Sequence, residues 1–175
     1  MKNLMLIVML MVSPTLVAPT SHNLIYEQPI EEVVVVVKNM NLFLQDLGHQ
    51  ESGNNYEIVN RFGYMGRYQF GKSTLRTLKI RVTKEAFLNS PDLQEYAMQQ
   101  NLLYNKKRLQ KYINKYAGEI HNGIFITESG ILAAAHLGGA GSVKKYFRSG
   151  KIMKDGNGIK ITSYLERFGG YQLNI

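Results

Sequence analysis

The tripeptide Ser90-Pro91-Asp92 restricts the folding of this chain more than any other feature. Serine accepts a hydrogen bond from a free amide of a first helical turn, proline fits that turn, and aspartate suits the positive end of the helix dipole. A helix therefore begins there. Leu93, Tyr96, Ala97 and Tyr104 begin its buried face, and Gly118 supplies the stop. Met40, Phe43, Leu44 and Leu47 fall at i, i+3, i+4 and i+7 and predict a second helix over 38–51. A third, from Thr127 to Leu137, carries Ala133, Ala134 and Ala135, which let neighbouring backbones approach closely. Shorter helices are expected from a Ser73 cap through Leu78, from Ser142 to Arg148, and from Ser163 to Phe168 before Gly169-Gly170. Gly53, Gly63, Gly66 and Gly71 punctuate 53–71, which reads as a small irregular or β-like insert. Val33 to Val37 favours a strand, or forms the entry to the helix that follows. The expected class is mostly α, of α+β type.

A chain of 175 residues suits one domain. Lys2, the apolar run Leu4 to Val12, the break at Ser13-Pro14 and the small residues up to Ser21 read as an export signal. The run falls short of the roughly 20 apolar residues of a membrane span. The expected organisation is a signal peptide over 1–20, a polar leader over 21–37 and a folded domain over 38–175, with an uncleaved anchor as the competing reading. The mature protein is then an exported monomer, periplasmic or extracellular, without membrane attachment.

The absence of cysteine excludes disulfides, thiolate metal sites and cysteine nucleophiles. His22, His49, His121 and His136 have no ligand-like spacing, and Asp155-Gly156-Asn157-Gly158 lacks the remaining acids of a calcium loop and reads as a turn. Neither a metal nor a cofactor is expected. Lysine and arginine outnumber the acids 21 to 13. Such a balance favours an anionic partner or serves as a solubility shell. Apart from Lys106-Lys107-Arg108 and Lys144-Lys145 the basic residues are scattered, and with the export signal this argues against nucleic acid.

Chemistry concentrates at Glu51. It follows Leu47 by four residues and so extends the apolar stripe of its helix. A carboxyl on such a stripe is costly to ionise, its pKa rises, and it becomes a proton donor near neutral pH. The bland alternative is a frayed helix end with Glu51 turned to solvent by Gly53. Beside it stand a glycine-backed aromatic segment, Gly63 to Gly71, and a small-residue segment, Ala133 to Gly141. Aromatic faces, amides and exposed glycine backbone are what a polysaccharide groove requires. The alternation of Tyr64, Tyr68 and Phe70 suggests that one set packs inward while Tyr68 or Gln69 faces the groove. His136, on an alanine-rich helix, reads as a packed, hydrogen-bonded residue rather than a base.

The order of these clusters resembles the lytic transglycosylases and goose-type lysozymes, which share the lysozyme fold. Glu51-Ser52 looks like their Glu-Ser pair at a helix end, and Gly66-Arg67-Tyr68-Gln69 like their Gly-x-Met-Gln segment. Ala134 to Gly138 stands where they carry Ala-Tyr-Asn-x-Gly. Thr162-Ser163-Tyr164-Leu165 is similar to their late Thr-x-x-Tyr-Val, with one residue fewer. The similarity covers roughly 38–171. It implies a lysozyme-like fold, peptidoglycan glycan strands as substrate at the cell wall, and no cofactor. It further implies Glu51 as catalytic acid, with Ser52, Tyr64, Gly66, Tyr68, Gln69, His136 and Tyr164 as substrate contacts. The implied reaction breaks the bond between N-acetylmuramic acid and N-acetylglucosamine and leaves 1,6-anhydro ends. Two departures stand out. The family tyrosine that helps hold the catalytic carboxyl is Ala135 here, and the asparagine is His136. Tyr64, Tyr68 and Tyr164 are the candidates for the missing hydroxyl. The alternatives are a lysozyme-type hydrolase, with Asp46, Glu57, Glu128 or Asp155 as second acid, and a non-catalytic wall-binding module.

Overall fold

The Ser90 hydroxyl accepts a hydrogen bond from the Leu93 amide, and Pro91 opens the longest helix of a computed structural model that describes residues 37–175. The expected signal peptide, the leader as far as Val36 and the first four valines of the run lie outside the described residues. Val37 is exposed and belongs to no strand.

In chain order the elements are α1 (Met40–Ser52), α2 (Lys72–Thr77), α3 (Lys84–Leu88), α4 (Pro91–Tyr116), β1 (Ile120–His121), β2 (Ile124–Phe125), α5 (Glu128–Ser149) and α6 (Ile161–Arg167). The described chain is thus mostly helical with one small antiparallel sheet. Asn39 caps α1 through a hydrogen bond from the Leu42 amide, and Gly53 ends it. The expected stripe faces inward: Phe43 and Leu47 are fully buried, and Phe43 packs edge-on against Phe168 and Tyr171 from the end of the chain. α5 packs against both α4 and α6. Its small residues permit this closeness, since a Cβ on Gly130 would stand 2.4 Å from the Leu165 carbonyl oxygen of α6.

Several expectations need correction. Tyr96 is 51% exposed, and the buried stripe of α4 runs instead through Gln94, Ala97, Met98, Asn101, Leu102, Asn105, Leu109 and Ile113. Ser73 does not cap α2, which begins at Lys72 after Gly71 without a side-chain cap. The two helices expected from Thr127 to Leu137 and from Ser142 to Arg148 do stand, as the two halves of α5 on either side of a kink at the non-helical Gly139 (φ 74°, ψ 156°). α6 starts two residues before Ser163, at Ile161. The segment after α1 contains only isolated bridges, Val59 with Met65 and Met65 with Phe70. The ladder lies elsewhere, between α4 and α5. There Asn122-Gly123, both with positive φ, turn a tight hairpin that pairs Ile120 with Phe125 and His121 with Ile124.

Arg67 fixes the irregular insert to its surroundings. Its Nε donates to Asn54 Oδ1 at 2.9 Å, its Nη1 to Tyr56 Oη and Glu95 Oε1 at 2.8 Å each, and its Nη2 to the Leu44 carbonyl. Gln94, buried on α4, accepts from the Arg67 amide and donates to the carbonyls of Tyr56 and Phe87. This approach needs glycine at 66. The backbone there has φ +73°, and a Cβ would fall 2.0 Å from Gln94 Oε1.

Gly66→Ala is therefore expected to lower unfolding stability by about 2 kcal/mol or more, combining left-handed strain with displacement of Gln94. Urea denaturation measures it, and a change within about 0.5 kcal/mol, typical of a neutral surface substitution, would refute the packing role.

Candidate functional site

Glu51 stands on the last turn of α1 with its side chain 12% exposed, at the edge of a cleft of about 880 Å3. Tyr164 Oη on α6 donates to Glu51 Oε1 at 2.7 Å. Of the three candidate hydroxyls, Tyr164 is the one that meets the carboxyl, across 113 positions of sequence. Burial pushes the Glu51 pKa above the ordinary carboxyl value. The charge of His136 and the Tyr164 hydrogen bond pull it back, Asp155 adds to the rise, and the balance is upward. Tyr164 is itself raised, first by burial and then by the adjoining carboxylate, so its phenol stays protonated and donating.

His136, on α5, places Nε2 4.0 Å from Glu51 Oε1 and 2.9 Å from the Tyr68 carbonyl oxygen. A carbonyl only accepts, so Nε2 carries a hydrogen and donates it to Tyr68. Nδ1 is buried without a hydrogen-bond partner, and the ring packs edge-on against Phe70. With the ring held this way, His136 is a packed wall of the site next to the acid.

The expected substrate contacts divide into two groups. Glu51, Tyr64, Gln69, His136 and Tyr164 line the cleft. Tyr64 is 45% exposed, and Gln69 holds a left-handed backbone (φ +51°) rare for a residue with a side chain. Its Nε2 donates to the Gly66 carbonyl. Ser52, Gly66 and Tyr68 do not line the cleft, and each has a structural task instead. Ser52 Oγ donates to the Arg67 carbonyl at 2.8 Å and accepts from the Asn55 amide, pinning the end of α1 to the insert. Gly66 is buried against Gln94. Tyr68 is fully buried, its hydroxyl donating to Glu95 Oε2, while its carbonyl holds His136. The alternation in this segment therefore turns Tyr64 outward and Tyr68 inward.

Other residues of the cleft lay outside the expected set. Phe62 is exposed at the tip of the insert and lies over Gly156, and Arg61 Nη2 donates to Asn157 Oδ1, so the tip meets the 155–158 turn. Asp155 Oδ1 accepts from the amides of Asn157 and Ile159, as its turn reading requires. Asp155 lines the cleft, and among the described residues it is the one carboxylate other than Glu51 that does so. Asp46 is engaged elsewhere, by Tyr171, and Glu128 by Lys106. Asn101, Tyr104, Asn105 and Arg108 of α4 form a further polar wall. Gln94, Asn101 and Asn105 carried a signal in the sequence, as polar residues recurring at helical spacing within an apolar stripe. Glu95 and Arg61 carried none.

Among the described residues no three histidines or carboxylates stand close enough to hold a metal ion, and no helix is long and apolar enough to cross a membrane. Neither the protein-family models, the curated proteins nor the solved structures compared with the chain match it.

Two outcomes are expected at this site. Between the ordinary carboxyl pKa and the raised folded value, the native state holds more protons than the unfolded chain. The contribution of Glu51 to stability is therefore complete at low pH and lost as pH rises through the folded pKa. Glu51→Gln should unfold at a higher temperature than wild type at neutral pH, with the gap closing toward pH 4, as thermal melts across pH will read. A gap that is constant with pH contradicts the raised value. Tyr164→Phe removes a donor that favours the charged form, so the Glu51 carboxyl, followed by carbon-13 NMR, should titrate higher still. A downward shift would mean that the hydrogen bond does not act on the carboxylate.

Proposed function

We propose that this chain is a peptidoglycan-cleaving lytic transglycosylase built on a lysozyme-like fold, with Glu51 as its single catalytic acid and base. The observation that carries the reading is a buried carboxyl of raised pKa, held by a tyrosine hydroxyl, on a cleft of about 880 Å3 lined by amides and exposed aromatics. The order of elements supports the fold assignment: the acid ends α1, an irregular insert follows, and α4, α5 and α6 pack around the same cleft.

Tyr164 occupies Glu51 Oε1, which leaves Oε2 to carry the acid proton. In the proposed reaction that proton passes to the oxygen bridging N-acetylmuramic acid and N-acetylglucosamine as the C1–O bond breaks. Glu51, now ionised, takes the proton of the muramic C6 hydroxyl, whose oxygen bonds to C1. The product has a 1,6-anhydro end, the acid returns to its starting state, and neither water nor cofactor takes part. A raised pKa suits both halves, because the group must hold a proton before cleavage and accept one afterwards. Gln69 and the exposed rings of Phe62 and Tyr64 are the nearest candidates for steadying the sugars. The hydroxyl missing at Ala135 is supplied in space by Tyr164, which favours an intact site over a decayed binding module. On this reading the protein acts outside the cytoplasm, as a monomer on wall glycan rather than on nucleic acid or membrane.

A lysozyme-type hydrolase is the second reading, and Asp155 is the observation that favours it. A hydrolase needs a second carboxylate to guide water or trap the sugar, and Asp155 lines the same cleft.

Mass spectrometry of fragments released from purified peptidoglycan separates the two. Anhydro-muramic ends are expected from wild type, with release reduced at least about a hundredfold in Glu51→Gln, the usual worth of a positioned general acid. Reducing ends that vanish in Asp155→Asn would establish the hydrolase. Wild-type release by Glu51→Gln would remove Glu51 from the chemistry altogether.

A further inference from the structure

Four polar side chains of α4 face the cleft at helical spacing: Asn101, Tyr104, Asn105 and Arg108 stand at i, i+3, i+4 and i+7. They cover about 10 Å of one helix face at 1.5 Å per residue. Asn101 and Asn105 are 5% and 4% exposed and sit in a stripe otherwise built from Ala97, Met98, Leu102 and Leu109. An amide carries two donors and two acceptor sites, so one bond between the pair leaves further groups to face the cleft. Here Asn105 Nδ2 donates to Asn101 Oδ1 at 2.9 Å, and no further side-chain hydrogen bond joins either residue to the described chain. The Asn101 amino group and the Asn105 carbonyl oxygen remain, one donor and one acceptor side by side on the cleft wall. One turn on, Arg108 Nη1 donates to Tyr104 Oη at 2.8 Å, and its guanidinium lies over the Tyr104 ring. Arg108 is the one cation lining the cleft among the described residues.

We propose that this face of α4 is a subsite for the peptide stem that branches from the glycan, with the asparagine pair reading a peptide amide and Arg108 a stem carboxylate. The proposal rests on the peptidoglycan reading and adds to it which part of the substrate is recognised. The charge makes the distinction. Pyranose rings and acetamido groups are neutral, and the lactyl carboxyl of muramic acid is consumed in the amide that joins the peptide. An anion presented to Arg108 by this substrate therefore comes from the peptide. A peptide unit also offers a donor and an acceptor together, matching the free groups of Asn101 and Asn105. Sugar hydroxyls would satisfy the asparagines equally well, but they give a cation no partner. The subsite makes stem-bearing strands the preferred substrate and stripped strands the poorer one.

Isothermal titration calorimetry on the full chain carrying Glu51→Gln, which leaves ligands uncut, provides the test. The probes are a disaccharide bearing its peptide stem and the same disaccharide with the stem replaced by a methylamide, which keeps the lactyl carboxyl uncharged. The stem-bearing fragment should bind about tenfold more tightly, the worth of one charge-assisted hydrogen bond. Adding Arg108→Ala or Asn101→Asp should reduce that preference to less than about twofold. Arg108 is exposed and its replacement leaves the core untouched, so that variant stands as the test even where the buried asparagine disturbs folding. Equal binding of both fragments would overturn the subsite while the glycan reading stands. So would a preference that survives Arg108→Ala, or a loss falling equally on both fragments. Failure of both fragments to bind would overturn the glycan reading, and the subsite with it.

Discussion

The Arg67 guanidinium is the interaction on which the site depends. Four of its five N–H groups reach α1 through the Leu44 carbonyl, the following turn through Asn54, the insert through Tyr56, and α4 through Glu95. A lysine cannot do this, because a point charge on a flexible stem has no planar fork to satisfy four directions at once. The insert has no ladder of its own, only isolated bridges, so side-chain hydrogen bonds take the place of backbone pairing. Once Arg67 is placed, its carbonyl holds Ser52 and the Tyr68 carbonyl holds His136. The acid and the wall beside it are thus positioned from behind by groups that never meet the cleft.

At the acid itself the opposing effects are unequal. A nearby imidazole and a phenol hydrogen bond both favour the carboxylate, yet burial outweighs them and the carboxyl keeps its proton more readily than a free glutamate. The arrangement is asymmetric. One carboxyl oxygen is bound to Tyr164 and the other is left for chemistry, while the histidine's Nε2 hydrogen is committed to a backbone carbonyl. Such a site offers one proton donor, which suits a reaction in which the substrate supplies its own nucleophile. Asp155 on the facing turn keeps the hydrolytic alternative concrete.

What the sequence made legible follows interaction range. Glu51 was readable because i to i+4 spacing carried the apolar stripe from Leu47 onto it, and Ser90-Pro91-Asp92 because capping is a matter of three residues. Tyr164 was one of three hydroxyls that no local rule separates, since its meeting with Glu51 is set by the packing of α6. Ser52, Gly66 and Tyr68 neighbour the cleft-lining residues in sequence, but their roles in the structure are mechanical. Motif membership does not say which face of a segment looks into a cleft. The β1–β2 hairpin has a local signal too: Asn122-Gly123, between Ile120-His121 and Ile124-Phe125, is a strong tight-turn pair. The amides of α4 were legible in the same way, as polar side chains on a buried stripe.

The central claim is that the proton on Glu51 is the one that breaks the glycan. Its most direct test compares two pKa values: that of the Glu51 carboxyl, titrated by NMR, and that of the alkaline limb of kcat/KM for fragment release from peptidoglycan. The account predicts that they coincide, above the ordinary glutamate value. A limb that falls at a different pH while Glu51 titrates elsewhere would assign the proton to another group, and would contradict the account.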